Sequence, residues 1–189
     1  VEIGCNDGIL LQNFLLHNIP CLGVEPSKNV AYVAMDKGIK VMTEFFDELL
    51  AEKILKIHQQ ADAILSANVM CHIPYMHSIY EGVKTLLKED GVFIFEDPYL
   101  GEIIEKTSFD QIYDEHVFIF SLTSMQNICN KFNLEVFDVE YVNTAGGSLR
   151  YFISKKNVST TNQIPPLPYP ASPSGRSLQT PLIFLLYIV

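Results

Sequence analysis

The stretch Val1-Glu2-Ile3-Gly4-Cys5-Asn6-Asp7-Gly8, with Glu25 seventeen residues past its last glycine, decides the fold. Val1 to Ile3 reads as the end of a strand, and an amphipathic helix follows over residues 10–17. Glu2-x-Gly4-x-x-x-Gly8 therefore sits where a first strand turns into a first helix. Glycines there permit a tight turn and a close approach of backbone to ligand. The helix that follows points its positive end into the same crevice. Residues 21–25 read as a short buried strand stopped by Pro26, which puts the Glu25 carboxylate where two ribose hydroxyls could donate to it. The spacing is not G-x-G-x-x-G, and no Lys or Arg stands in the loop to meet a pyrophosphate. Its acids, Glu2 and Asp7, instead suit a cationic ligand carrying an amino group and a sulfonium.

Outward from this loop, strands and helices alternate. Residues 29–37 are helical and end at Gly38, a common C-terminal glycine. Residues 39–42 form a strand, 48–58 a helix and 61–67 an apolar strand. The helix over 75–87 carries Ile79, Val83, Leu86 and Leu87 on one face. Glu89-Asp90-Gly91 reads as a turn before a β-rich run over 92–96. A helix over 123–132 takes a Thr or Ser cap. Strands over 134–142 and 148–154 are joined by the short loop 143–147, which suits an antiparallel hairpin rather than a crossover. Strands separated by helices imply parallel pairing. The expected architecture is thus α/β: a seven-stranded, mostly parallel sheet with an antiparallel last strand.

The chain has 189 residues, 48% of them apolar and 19% charged, which fits one globular domain. Its net charge of −9 and the absence of a basic run argue against a nucleic-acid partner. The four cysteines, Cys5, Cys21, Cys71 and Cys129, are far apart and form no C-x-x-C pair, so spacing indicates neither a zinc site nor a disulfide framework. They read as buried thiols of a cytoplasmic protein. Six of the ten prolines fall between 165 and 181, so a domain over 1–155 is expected to give way to a proline-rich, disordered tail over 156–189. The apolar run 182–189 is too short to span a bilayer. The opening inside a strand–loop motif, without Met, suggests an N-terminus missing from the sequence.

At the loop, the chain resembles class I S-adenosylmethionine-dependent methyltransferases, which have a Rossmann-like sheet of the kind expected above. The resemblance implies S-adenosyl-L-methionine as cofactor, with Gly4 and Gly8 flanking its methionine part and Glu25 holding its ribose. It places Phe45-Phe46 near the adenine and Ala67-Asn68-Val69 at the amino-acid end. More specific phrases are Gly23-Val24-Glu25-Pro26-Ser27, Cys71-His72-Ile73-Pro74-Tyr75, Phe95-Glu96-Asp97-Pro98-Tyr99-Leu100, Phe109-Asp110-Gln111-Ile112-Tyr113-Asp114-Glu115-His116 and Gly146-Gly147-Ser148-Leu149-Arg150-Tyr151. In order and spacing they are similar to the C-methyltransferases of nucleotide-linked deoxy-4-keto sugars.

That chemistry needs these residue types. A carbon beside a ketone becomes nucleophilic only after a base removes a proton and a donor steadies the enolate oxygen. His116 is the expected base, since imidazole titrates near neutrality. Glu115 points to the opposite side in extended chain and could touch the sugar. Tyr113 and His72 are candidates for enolate stabilisation and sugar positioning. No metal is needed for the transfer. His17, His58 and His77 read as surface residues, and Arg150 as a strand-edge cation rather than a phosphate ligand. The family's usual His-Gly-Gly-Ser is Ala145-Gly146-Gly147-Ser148 here. Family members also carry an N-terminal zinc-binding domain and a further C-terminal domain, which are expected in a longer parent. The competing readings are an O- or N-methyltransferase of a small molecule, which would not need His116, and a non-catalytic domain that binds a partner and no cofactor.

Overall fold

A computed structural model describes residues 1–156; the tail expected beyond them lies outside the described residues. Seven strands form one sheet: β1 (Glu2–Ile3), β2 (Leu22–Val24), β3 (Lys40–Met42), β4 (Ala61–Ala67), β5 (Leu87–Pro98), β6 (Leu134–Val142) and β7 (Ser148–Lys155). Their order across the sheet is β3-β2-β1-β4-β5-β7-β6. The pairs among the first five are parallel, and β7 runs antiparallel to both β5 and β6. The order reverses between β1 and β4, so a crevice opens beyond the carboxyl ends of these strands.

Six helices flank the sheet: α1 (Leu11–Leu16), α2 (Lys28–Asp36), α3 (Glu48–Ile57), α4 (Met76–Leu86), α5 (Leu100–Lys106) and α6 (Leu122–Lys131). The strands' period-two alternation sorts the core into two layers. Phe93, Phe95, Tyr151 and Ile153 face a cluster with Leu50, Ile54, Ile79, Tyr80, Val83 and Met125 from α3, α4 and α6. Val92, Ile94 and Phe152 face the other way, against Leu11, Phe14 and Ala34 from α1 and α2. Helices covering both faces explain why the central strands are apolar throughout.

Local signals set the boundaries. Ser121 caps α6 by accepting from the Ser124 backbone N–H at 3.1 Å, while the Ser124 hydroxyl accepts from Ser121 N–H at 2.9 Å. Asp47 caps α3 by accepting from Leu50 N–H at 2.7 Å. Two expectations need correction. The turn at Glu89-Asp90-Gly91 is a bulge inside a longer strand: Leu87 pairs with Ala61, and Val92 rejoins at Ala63. The exposed Glu89 and Asp90 thus leave the sheet for a few residues without ending the strand. Helix α5 was not expected, because its seven residues bury only Ile103 and carry little periodicity. No helix among the described residues is long and apolar enough to cross a membrane.

Candidate functional site

At the carboxyl edge of β1, β2 and β4 lies an open cleft of about 820 Å³. Gly4, Asn6, Glu25, Phe45, Phe46, Asn68 and Val69 line one side, and His72, Tyr75, Asp114, Glu115 and Val117 line the other. Gly4 has φ +71°, and a Cβ there would stand 2.5 Å from Val69 Cγ2, so only glycine lets the loop lie against the end of β4. Asn68, at φ +53°, reverses the chain after β4 and donates its N–H to Glu96 O at 2.8 Å. Gly8 has φ +78° but does not line the cleft. A Cβ there would meet Ala34 and Ile39, so this glycine serves the packing of the first turn against α2 and β3.

Glu25 is mostly buried, and its two oxygens accept from Asn6 N–H at 3.1 Å and Ser27 N–H at 2.9 Å. A carboxylate offers about four lone-pair positions, so both oxygens keep capacity for further donors. Glu2 is buried beneath the loop and does not line the cleft; one of its oxygens has no hydrogen-bond partner among the described residues. Burial pushes its carboxyl up to about 7.

The second half of the site assembles from segments 40 or more residues apart. His116 Nδ1 is 2.7 Å from Gln111 O, and His72 Nδ1 is 2.8 Å from Glu115 O. Carbonyl oxygens only accept, so both Nδ1 atoms carry the proton and both Nε2 lone pairs are bare in the neutral rings. Tyr113 Oη lies 3.0 Å from His116 Nε2, with ring centroids 4.2 Å apart. The His72 and His116 rings are 5.0 Å apart. Glu115 lines the cleft together with its neighbour Asp114, in a turn closed by His116 N–H to Tyr113 O at 3.0 Å rather than in the extended chain expected; Tyr113 and His116 flank the cleft through His72 and Glu115 and are not among its lining residues. In a neutral His116 ring Nε2 is an acceptor that the Tyr113 hydroxyl can donate to, and a neutral His72 ring likewise presents its Nε2 as an acceptor.

Sequence reasoning passed over two residues beneath this cluster. Asp97, at the end of β5, is wholly buried, and one of its oxygens accepts from Cys71 N–H at 3.2 Å. Its other oxygen has no hydrogen-bond partner among the described residues. Burial pushes the Asp97 carboxyl up to about 7, although the Cys71 thiol and backbone N–H pull it down. Cys71 in turn accepts from Phe118 N–H at 3.1 Å through its carbonyl, tying the turn Met70–His72 to the segment that follows His116. An acid inside the apolar run of β5 was the available signal. Arg150 is committed elsewhere: it pairs with Glu96 at 2.9 Å and Glu140 at 3.1 Å. Among the described residues no Lys or Arg lines the cleft. His17, His58 and His77 are exposed, with His77 edge-on to Phe132.

A sheet of this order, with an antiparallel β7 and an acid at the end of β2, defines a class I S-adenosylmethionine-dependent methyltransferase domain. The family model described as "Methyltransferase domain" matches residues 1–139, and the chain belongs to that family. The C-methyltransferase NovU of Streptomyces niveus is 36% identical over 152 residues, 80% of this chain and 36% of that enzyme. A ubiquinone biosynthesis O-methyltransferase of Salmonella paratyphi A is 27% identical over 99 residues, 50% of this chain and 40% of that enzyme. The chain therefore spans little more than a third of the length of these relatives. Among solved structures, the magnesium protoporphyrin IX methyltransferase of Synechocystis, with bound SAH, superimposes with a TM-score of 0.62 at 14% identity, covering 82% of this chain and 73% of that one. A SAM-dependent methyltransferase from Anabaena variabilis gives 0.59 at 16% identity, covering 82% and 76%. At these identities the likeness concerns the fold.

Proposed function

We propose that this chain is the catalytic domain of an S-adenosylmethionine-dependent C-methyltransferase whose acceptor is a nucleotide-linked keto-deoxysugar. The observation that carries the reading is the Tyr113–His116 pair beside the cleft, with Nε2 of His116 held as an acceptor. O- and N-methyl transfer start from atoms that already bear a lone pair, whereas a carbon acid requires a base. The match to a C-methyltransferase over 80% of the chain supports the same choice.

The cleft suits the cofactor on its own terms. Gly4 leaves room where a Cβ would collide, Glu25 retains acceptor capacity, and acidic walls favour a positive sulfonium. When bound, S-adenosylmethionine supplies an electrophilic methyl group. The remaining work belongs to the protein. His116 Nε2 takes the proton from the carbon beside the ketone, and its imidazolium keeps the bond from Nδ1 to Gln111 O. The Tyr113 hydroxyl, released from Nε2 as that atom is protonated, turns its proton to the enolate oxygen. Glu115 faces the sugar hydroxyls from the cleft wall, and His72 buttresses the base.

The test is proton exchange. A 4-keto sugar nucleotide in heavy water will exchange the proton beside its ketone in the presence of the protein, as read by NMR. His116→Asn will lower exchange and methylation by about 10²–10⁴-fold, the range for a lost general base, while leaving S-adenosylhomocysteine affinity intact. Exchange at the parent rate in His116→Asn would move the base elsewhere, and normal methylation of a hydroxyl acceptor by that variant would favour the O-methyltransferase reading.

A further inference from the structure

Cys71, His72 and His116 have a capacity that methyl transfer does not use. One ligand atom of each lies within 4.8 Å of the other two. Both histidines already have the outer shell of a metal site. Each holds Nδ1 on a backbone carbonyl, at 2.8 and 2.7 Å, which fixes the tautomer and leaves Nε2 to bind. We propose that these three side chains form a binding site for a zinc-like divalent ion, and that its occupation takes the base out of catalysis.

The donor set selects the ion. Two imidazoles and a thiol suit zinc and its softer neighbours, whereas magnesium and calcium require oxygen. Zinc bonds of about 2.3 Å to sulfur and about 2.0–2.1 Å to nitrogen imply tetrahedral ligand separations of about 3.3–3.6 Å. The cluster must therefore draw in by up to about 1.5 Å. His72 ends a single 3₁₀ turn, and His116 lies in an irregular segment and is part-buried, so neither is locked in a long element. The fourth position falls to water. Without an ion, burial and the neighbouring Asp97 keep the Cys71 thiol protonated. On binding, the S–H bond breaks, its proton leaves to solvent, and the sulfur pair forms the metal bond. At His116 the ion takes the Nε2 lone pair, which breaks the 3.0 Å contact with Tyr113 Oη. Spacing could not disclose the set, because His116 comes 45 residues after Cys71.

Ion binding is independent of the methyl acceptor; only the inhibitory consequence rests on the reading of His116 as base. Cadmium chloride, titrated into the chelator-treated full chain, reports the site through its sulfur-to-metal ultraviolet absorption. One ion per chain is expected, displaced by zinc. Cys71→Ser will remove the band and weaken binding by at least about tenfold. His72→Ala will weaken binding and retain the band, and Cys21→Ser will change neither. No saturable band in the parent chain, or a band of unchanged affinity in Cys71→Ser, would overturn the site. Should Cys71→Ser fail to fold, unchanged affinity in His72→Ala would overturn it equally. Zinc is further expected to suppress the heavy-water exchange in the parent and not in Cys71→Ser. Zinc binding with full exchange would overturn the inhibitory half and leave the ion site standing, while the base reading is decided separately by exchange in His116→Asn.

Discussion

Asp97 offers a sharp test of the forces beneath the site. Its side chain has no exposure to solvent, accepts one backbone N–H, and leaves one oxygen without a partner among the described residues. The groups around it are the Cys71 thiol, the Tyr80 and Tyr151 hydroxyls and the Glu96 carboxylate, none of them a cation. Burial therefore raises its carboxyl from the ordinary 3.8 to about 7. Between these values the folded protein holds a proton that the unfolded chain has lost. The contribution of Asp97 to stability is thus highest below about pH 4 and falls as pH rises towards 7, by about 4 kcal/mol at about 1.4 kcal/mol per pH unit. Asp97→Asn is neutral at every pH and keeps an acceptor for Cys71 N–H, but its amide N–H₂ faces the unpartnered position, at a cost of about 1–3 kcal/mol. The variant is therefore expected to be less stable than the parent at pH 4 and more stable at pH 8, there by about 1–3 kcal/mol, with the curves crossing between about pH 4.5 and 6. Urea unfolding of both proteins from pH 4 to 8 checks this. Glu2 and Asp138, whose carboxyls burial also raises, contribute equally to both proteins and cancel in the difference. Parallel curves without a crossing would refute the argument that Asp97 titrates in this window.

Glu25→Ala will weaken S-adenosylhomocysteine binding by about 1.5–3 kcal/mol, the scale of hydrogen bonds to a charged group, as read by calorimetry. Gly4→Ala will impair binding more severely, because the new Cβ meets Val69 Cγ2 at 2.5 Å; Gly4→Ala with Val69→Ala will recover part of the loss in the same assay. Arg150→Met will destabilise the fold by about 3 kcal/mol in chemical denaturation by leaving the buried Glu96 without its cation, and Glu96→Gln in the same background will restore part of it.

The half of the cleft proposed to hold the cofactor was legible because it is local in sequence. Gly4, Glu25 and Asn68 each follow a strand of the parallel sheet, and the strand–turn–helix alternation fixes the edge to which they come. Gly8 carried the same signal for a different reason, packing against Ala34 and Ile39, since left-handed backbone and tight packing look alike in a sequence. The half proposed to supply the base was legible only as residue types. Tyr113 and His116 are three residues apart, yet the roles of their ring atoms depend on Gln111 O, Glu115 O and the distant His72. Asp97 and Cys71 were harder still, because burial gives them their character and no spacing rule encodes it. Helix α5 escaped because a single buried side chain cannot set a period.

The charge of the cleft constrains how any acceptor enters it. Glu25, Asp114 and Glu115 are its ionisable acids, and no Lys or Arg among the described residues offsets them. A cationic sulfonium gains from that field, whereas a diphosphate of the proposed acceptor would be repelled at the same depth. On the proposed reading the sugar ring therefore goes in first, with its ketone towards Tyr113 and His116 and its diphosphate held out towards water, where screening weakens the repulsion. Arg150 cannot relieve this. Its guanidinium is spent on Glu96 and Glu140, and that bond set joins β5, β6 and β7 into the antiparallel end of the sheet. The negative walls thus favour a cationic cofactor over an anionic group of the acceptor within the cleft.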